Sequence, residues 1–255
     1  MATADATRSA SRPLDLERAA LFLDVDGTLL DIAPTPDGVT TPDGLVASLA
    51  RLEAALGGAL AIVTGRTIAD VDRLFRPLTT RAAGVYGIEM RFESNGEIVA
   101  ATAALPARLW LALNAALLEF PGVFAEDKRF SFAVHYRAAP DAATGLRASL
   151  GRLAEAEAGL DLEVAAGGFV YELKPRGFNK GRALARFLLR APFAGRTPVF
   201  VGDDAADESA FAAAADRRGV AYAVGRRRPG VAEVFADPTT VREWLAAVVA
   251  GRAAT

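Results

Sequence analysis

The chain has 255 residues, 52% hydrophobic and 24% charged, with a formal net charge of −2 and no cysteine. That length carries an ample core for one large domain or two unequal ones, and the composition excludes a disordered chain. The charge offers no electrostatic footing for nucleic acid or an anionic membrane, and the missing cysteine removes disulfides, thiol catalysis and thiolate metal sites.

Residues 1–18, rich in Ala, Ser, Thr and Arg, contain no apolar run that would serve as a secretory signal and are expected to be a disordered leader. The longest apolar stretches are far too short to span a bilayer, and the protein is expected to be cytoplasmic, without membrane or nucleic-acid partners. The apolar run Leu21-Phe22-Leu23 predicts a strand over Leu21–Asp24, which breaks at Asp24-Val25-Asp26-Gly27-Thr28. Next come a helix over Pro42–Leu56 with Thr41 as its cap, a strand over Leu60–Thr64, a helix over Ile68–Phe75 and a strand over Ala82–Tyr86. The alternation resumes with helix Lys180–Leu189, strand Pro198–Val201, helix Asp207–Ala215, strand Val220–Val224 and helix Pro238–Val249. Strands alternating with helices in this way predict an α/β fold, a parallel sheet with helices on both faces.

Between about residues 89 and 175 the pattern changes to α+β, which predicts an inserted domain with its own small core. Helices are expected over Pro106–Glu119 and Ala142–Ala158, and strands over Val123–Ala125, Phe130–Tyr136, Leu160–Val164 and Phe169–Lys174. Period-two alternation puts Phe130, Phe132, Val134 and Tyr136 on one face, leaving Ser131, His135 and Arg137 on the other. In the last strand it groups Phe169, Tyr171 and Leu173 against Glu172 and Lys174. The ionisable face is a candidate specificity surface; Lys128, which precedes a turn, is assigned no face.

Polar residues gather where the parallel strands end, which is where ligands bind in open α/β sheets. Asp24 and Asp26 follow the first strand, Thr64-Gly65-Arg66 the second, and Gly202-Asp203-Asp204-Ala205-Ala206-Asp207-Glu208 a later one, while Asn179-Lys180-Gly181 opens a helix. A calcium loop would need a Glu at its twelfth position, where Thr35 stands. Taken singly, Asp24–Gly27 also reads as a turn, Thr64 as a helix cap, Lys180 as a solvated residue and the 203–208 acids as helix N-terminal charges. Their recurrence at successive strand ends favours a site. Crowded Asp24, Asp26, Asp203 and Asp207 call for a compensating cation, and an all-oxygen set points to Mg²⁺ acting with a substrate phosphate. The Arg226-Arg227-Arg228 run is expected to be a solvated loop.

The ordered series Asp-x-Asp-Gly-Thr, Thr-Gly-Arg, Asn-Lys-Gly and Gly-Asp-Asp-x-x-Asp-Glu resembles the haloacid dehalogenase superfamily of phosphohydrolases, and the insert resembles its C2-type cap. Over roughly residues 19–248 the chain is similar to the trehalose-6-phosphate phosphatase family, on Glu126-Asp127-Lys128, His135-Tyr136-Arg137 and Tyr171-Glu172-Leu173-Lys174-Pro175 besides the core motifs. Tyr86, where the family often has His, and Ala205-Ala206, where a stretch often ends in Thr, depart from it. The resemblance implies a Rossmann-like core over 19–88 and 176–255 with a cap over 89–175. It implies Asp24 as nucleophile, Asp26 as acid/base, and Thr64 and Lys180 holding the transferring oxygens. Mg²⁺ would sit on the Asp24 carboxylate, the Asp26 main-chain carbonyl and Asp203, with Asp207 supporting that shell or Lys180. Gly65, Arg66, Glu126, Lys128, His135, Arg137, Glu172 and Lys174 would bind substrate. A phosphatase or phosphomutase for another sugar phosphate would share the core, and an inactive sugar-phosphate sensor would keep the fold without needing the Asp24–Asp26 pair.

Overall fold

The computed structural model describes residues 14–33, 35 and 38–253. Residues 1–13, most of the expected leader, lie outside the described residues. Residues 14–18, expected to belong to that leader, instead form a turn closed by Asp15, with Leu14 and Leu16 packed on the core.

The first strand, β1 (Ala19–Leu23), is buried along its whole length, as a strand covered on both faces must be. It is followed by α1 (Leu45–Ala55), β2 (Leu60–Val63), α2 (Ile68–Leu74) and β3 (Arg81–Gly84). Next come two short strands, β4 (Glu89–Arg91) and β5 (Val99–Ala100). The insert supplies α3 (Ala107–Leu117), β6 (Phe124–Asp127), β7 (Phe132–His135), α4 (Ala143–Ala156), β8 (Leu162–Gly167) and β9 (Val170–Pro175). The chain then returns through α5 (Lys180–Leu188), β10 (Thr197–Gly202), α6 (Glu208–Ala215), β11 (Val220–Val224), β12 (Glu233–Phe235) and α7 (Pro238–Ala253).

The main sheet has the order β12-β11-β10-β1-β2-β3-β4-β5, with every pairing from β12 to β3 parallel. The strand order reverses at β1, which pairs with β10 on one side and β2 on the other. That is the switch point where an open α/β sheet leaves a crevice beyond its strand ends. Leu23 lies opposite Val201 and Ile62, so the loops after β10, β1 and β2 emerge side by side.

At the other edge β4 and β5 extend the sheet antiparallel as far as Ala100. The main sheet therefore runs past residue 88, where its first segment was expected to end. These strands are too short for the alternation that marks βα units, so hydrophobic periodicity does not expose them. Thr41 is not the cap of α1; its hydroxyl donates to Leu74 O at 2.7 Å, and the helix starts after Gly44 in a left-handed conformation.

The second sheet, β6-β7-β9-β8, is antiparallel throughout. One face packs Phe132, Val134, Tyr171 and Leu173 on Leu109 and Leu113 of α3 and Leu146 and Leu150 of α4, a core separate from that of the main sheet. Two residues leave the expected apolar face. Phe130 packs with Val85 and Ile88 of the main-sheet region, and Phe169 is 45% exposed. Both adjoin or occupy left-handed backbone, Arg129 at φ 68° and Phe169 at φ 62°, and a turn of that kind resets strand parity.

Candidate active site

Asp24 caps β1 with its N–H donating to Val201 O at 3.0 Å, so its side chain stands at the switch point. It is 4% exposed. Gly27, at φ 73°, folds the loop so tightly that a Cβ there would lie 2.3 Å from Asp203 Oδ2. Only a glycine lets this backbone pass the second acidic loop.

Asn179 caps α5 by accepting from Arg182 N–H at 2.8 Å, which starts the helix at Lys180. The Lys180 ammonium is buried and lies 2.7 Å from Asp24 Oδ1 and 2.7 Å from Asp207 Oδ1. Burial works against its charge, yet Asp207 and Asp24 hold it well above the ordinary lysine range. Burial also pushes the Asp24 carboxyl up, with Lys180 opposing and Asp207 and Asp203 adding negative charge. Burial, then Asp204 and Asp207, push Asp203 up to about 7.

The side-chain oxygens of Asp24, Asp203 and Asp207 lie within 4.8 Å of one another. Asp207 has both oxygens engaged, Oδ1 by Lys180 and Oδ2 by the backbone N–H groups of Asp203 and Asp204 at 3.0 Å each. It is thus placed as the support of Lys180 and of the Asp203 loop. Carboxylates outnumber the buried ammonium here, and the donors are all oxygen. That arrangement fits a hard divalent cation, which would relieve the crowding.

Thr64 ends β2, buried, with its Oγ1 accepting from Arg66 N–H at 3.2 Å. A Cβ on Gly65 would strike the Tyr86 ring at 2.8 Å. Arg66 turns back on Asp26, Nε to Oδ2 and Nη2 to Oδ1, each 2.7 Å.

The insert faces this cluster. Lys128 Nζ donates to Gly65 O of the core at 3.1 Å and to Glu172 Oε2 at 3.3 Å, while Ser131 Oγ donates to Glu172 Oε1. His135 Nε2 lies 3.3 Å from Glu126 Oε2. Burial raises the Glu126 carboxyl, but His135, Lys128 and Arg66 together hold it below the usual range. One pocket is lined by Asp24, Asp26, Thr64, Gly65, Arg66, Lys180 and Asp203 from the core and by Glu126, Lys128, His135, Arg137 and Glu172 from the insert.

Lys174 does not line it. Its ammonium is bonded to Glu163 Oε1 and Phe178 O, tying β8 to the segment returning to the core. Parity puts Lys174 on the face of Glu172, but two residues along a strand carry it about 7 Å further. Arg228 is a second correction. Its side chain is 8% exposed and paired with Glu208, and its Nε donates to Asp203 O at 3.1 Å. It is no solvated loop residue; charge patterning along a chain cannot reveal a carbonyl partner twenty-five residues away. Sequence reasoning also missed Ile32, Tyr86, Phe124 and Phe169, all of which line the pocket. An aromatic directly after the turn-forming pair Gly167-Gly168 was the available signal for Phe169.

A doubly wound sheet with a carboxylate at the switch point, a lysine on it, a second acidic loop beside it and an α+β insert over it defines a capped phosphohydrolase of the haloacid dehalogenase class. A Bacteroides thetaiotaomicron phosphatase of that superfamily shares the fold, at TM-score 0.57 and 15% identity over 94% of this chain and 99% of that one. The trehalose-phosphatase family model matches residues 22–237, and the chain belongs to that family. It is 41% identical to a Sinorhizobium fredii protein named "Probable trehalose-phosphate phosphatase", over 94% of this chain and 89% of that one. Against the Escherichia coli trehalose-6-phosphate phosphatase it is 38% identical, over 89% and 85%. A trehalose-6-phosphate phosphatase related protein superposes at TM-score 0.77, with 26% identity over 91% of this chain and 98% of that one. No helix among the described residues is long and apolar enough to cross a membrane.

Proposed function

We propose that the chain hydrolyses trehalose 6-phosphate to trehalose and phosphate, with Asp24 as nucleophile, residues 19–100 and 176–253 as catalytic core and the insert between them as cap. The observation that carries it is the Asp24–Lys180 contact of 2.7 Å at the switch point, beneath a cap face bearing Glu126, Lys128 and Glu172, in a chain of the trehalose-phosphatase family.

An Asp24 oxygen attacks phosphorus, and the bond from phosphorus to the sugar oxygen breaks, leaving an aspartyl-phosphate. Asp26 gives its proton to the departing sugar oxygen. It then takes one from water, whose oxygen attacks phosphorus and releases phosphate and the Asp24 carboxylate. Lys180 and the Thr64 hydroxyl hold the non-bridging oxygens, where fixed charge stabilises phosphoryl transfer most. Mg²⁺, held by Asp24, Asp203 and the Asp26 main-chain carbonyl, would supply charge neutralisation at the phosphoryl group. Arg66 must leave Asp26 when Asp26 carries its proton, and an incoming phosphate is the anion able to draw it away.

Glu126, Lys128, His135, Arg137 and Glu172 present donors and acceptors suited to sugar hydroxyls, and Lys128 joins cap to core through Gly65 O. A site built on hydrogen bonds rejects analogues lacking a hydroxyl strongly. A cytoplasmic setting belongs to this proposal, on the cysteine-free composition. Phosphate release with Mg²⁺ from trehalose 6-phosphate, sucrose 6-phosphate, mannosyl-phosphoglycerate and glucose 6-phosphate tests it. Trehalose 6-phosphate should show the highest kcat/KM. A preference for another ester would reassign the substrate, and binding without turnover would make the chain a sensor.

A further inference from the structure

Two half-exposed phenylalanines stand at the mouth of the pocket; neither is buried in an apolar core, although Phe169 meets the edge of one through the Tyr136 ring, centroids 6.0 Å apart. Phe124 and Phe169 are each 45% exposed, and both line the pocket. They come from opposite parts of the cap sheet, Phe124 from β6 and Phe169 from the turn between β8 and β9. Each is backed by a residue of the polar cap face. The Phe124 ring stacks on His135, its cross-strand partner, with centroids 4.7 Å apart and planes at 17°. The Arg137 guanidinium carbon sits 5.0 Å from the Phe169 centroid. Backing of this kind holds a ring in place on a surface where it would otherwise turn freely.

The backbone at Phe169 adds a second observation. It adopts φ 62°, a left-handed conformation that costs little only to glycine, and Gly167 and Gly168 directly precede it. The turn thus places its strained residue on the aromatic and its glycines beside it. Gly167 lies where a Cβ would be 3.4 Å from Asp204 Oδ2, so the same turn rests on the acidic loop of the core. Strain retained at a pocket wall points to use of the side chain it displays.

A disaccharide phosphate esterified on one ring holds that ring near Asp24 and carries the other a full sugar outward. The outward ring meets the mouth, where its C–H face would find apolar aromatic surface instead of the charged groups deeper in. We propose that Phe124 and Phe169 form the platform for the sugar ring that bears no phosphate, and that they select disaccharide over monosaccharide phosphates. Carbohydrate C–H groups suit the negative face of an aromatic ring, and such a platform gives contact area at little entropic cost. The proposal rests on the trehalose 6-phosphate activity above.

The test compares the KM for trehalose 6-phosphate with the inhibition constant of glucose 6-phosphate, which shares only the phosphate-bearing ring. Phe169→Gly suits the local backbone and so removes the ring without disturbing the turn; Phe124→Ala tests the other wall. Each should raise the KM for trehalose 6-phosphate about tenfold, with at least about fivefold less change for glucose 6-phosphate, and Phe169→Tyr should restore wild-type KM. Equal changes for both ligands, or no change for trehalose 6-phosphate, would overturn the platform while leaving the activity in place. A wild-type enzyme inert on trehalose 6-phosphate would instead overturn the activity itself.

Discussion

The guanidinium of Arg66 grips both carboxylate oxygens of Asp26, two parallel contacts of 2.7 Å each between the loops after β2 and β1. A fork of this geometry is specific to arginine, because lysine offers a single point charge. Arg66→Lys should therefore lower kcat by about tenfold on every ester, sugar or not, since the fork proposed to pass from Asp26 to the phosphate is needed for every ester and makes no sugar contact. Steady-state rates on trehalose 6-phosphate and p-nitrophenyl phosphate check this; loss on the sugar alone would place Arg66 among the specificity residues.

Asp24→Asn replaces the carboxylate proposed to attack phosphorus with a neutral amide of the same shape, and Lys180 retains Asp207 at 2.7 Å. Turnover should fall by roughly a thousandfold or more with the far-ultraviolet circular dichroism unchanged. Near-normal turnover would remove Asp24 from the nucleophile's role.

Mg²⁺ should stabilise the folded chain, because its proposed ligands Asp24 and Asp203 come within 4.8 Å of one another only in the fold. At a hundredfold excess over its dissociation constant the gain is about 2.7 kcal/mol. A thermal scan should show Tm rising with Mg²⁺ in the wild type and not in Asp203→Asn. An identical rise in both would place the ion elsewhere.

Arg228 pins the acidic loop through Asp203 O at 3.1 Å and Glu208 at 2.9 Å. Arg228→Ala should weaken Mg²⁺ binding by about tenfold, at the scale known for partners that orient metal ligands. Calorimetric titration of Mg²⁺ reads that directly. An unaltered Mg²⁺ affinity would reduce Arg228 to a surface pairing.

Glu172 and Lys174, two residues apart on β9, should separate cleanly. Glu172→Gln should lower kcat/KM for trehalose 6-phosphate far more than for p-nitrophenyl phosphate. Lys174→Met should leave that ratio alone and cost about 1–3 kcal/mol of stability, because it strips donors from Glu163 and Phe178 O. A specificity change in Lys174→Met would return that residue to the sugar site.

Much of this protein was already decided in its sequence. Fully apolar runs such as Leu21-Phe22-Leu23 mark buried parallel strands, and Asp24, Thr64, Lys180 and Asp203 stand at element ends where an open sheet binds ligands. These signals are local, read within a few residues of one another, because strand period, helix period and loop chemistry operate over that range. Tertiary structure alone decided the partnerships. Arg66 finds Asp26 forty residues away, Lys128 reaches Gly65 across sixty-three, and Arg228 meets the Asp203 carbonyl. It also withdrew Lys174 from the pocket and set Phe124 and Phe169 at its mouth. Which side chains share a cavity depends on turn conformations such as that of Phe169, at φ 62°, and on how two sheets dock, and neither leaves a periodic trace in the chain.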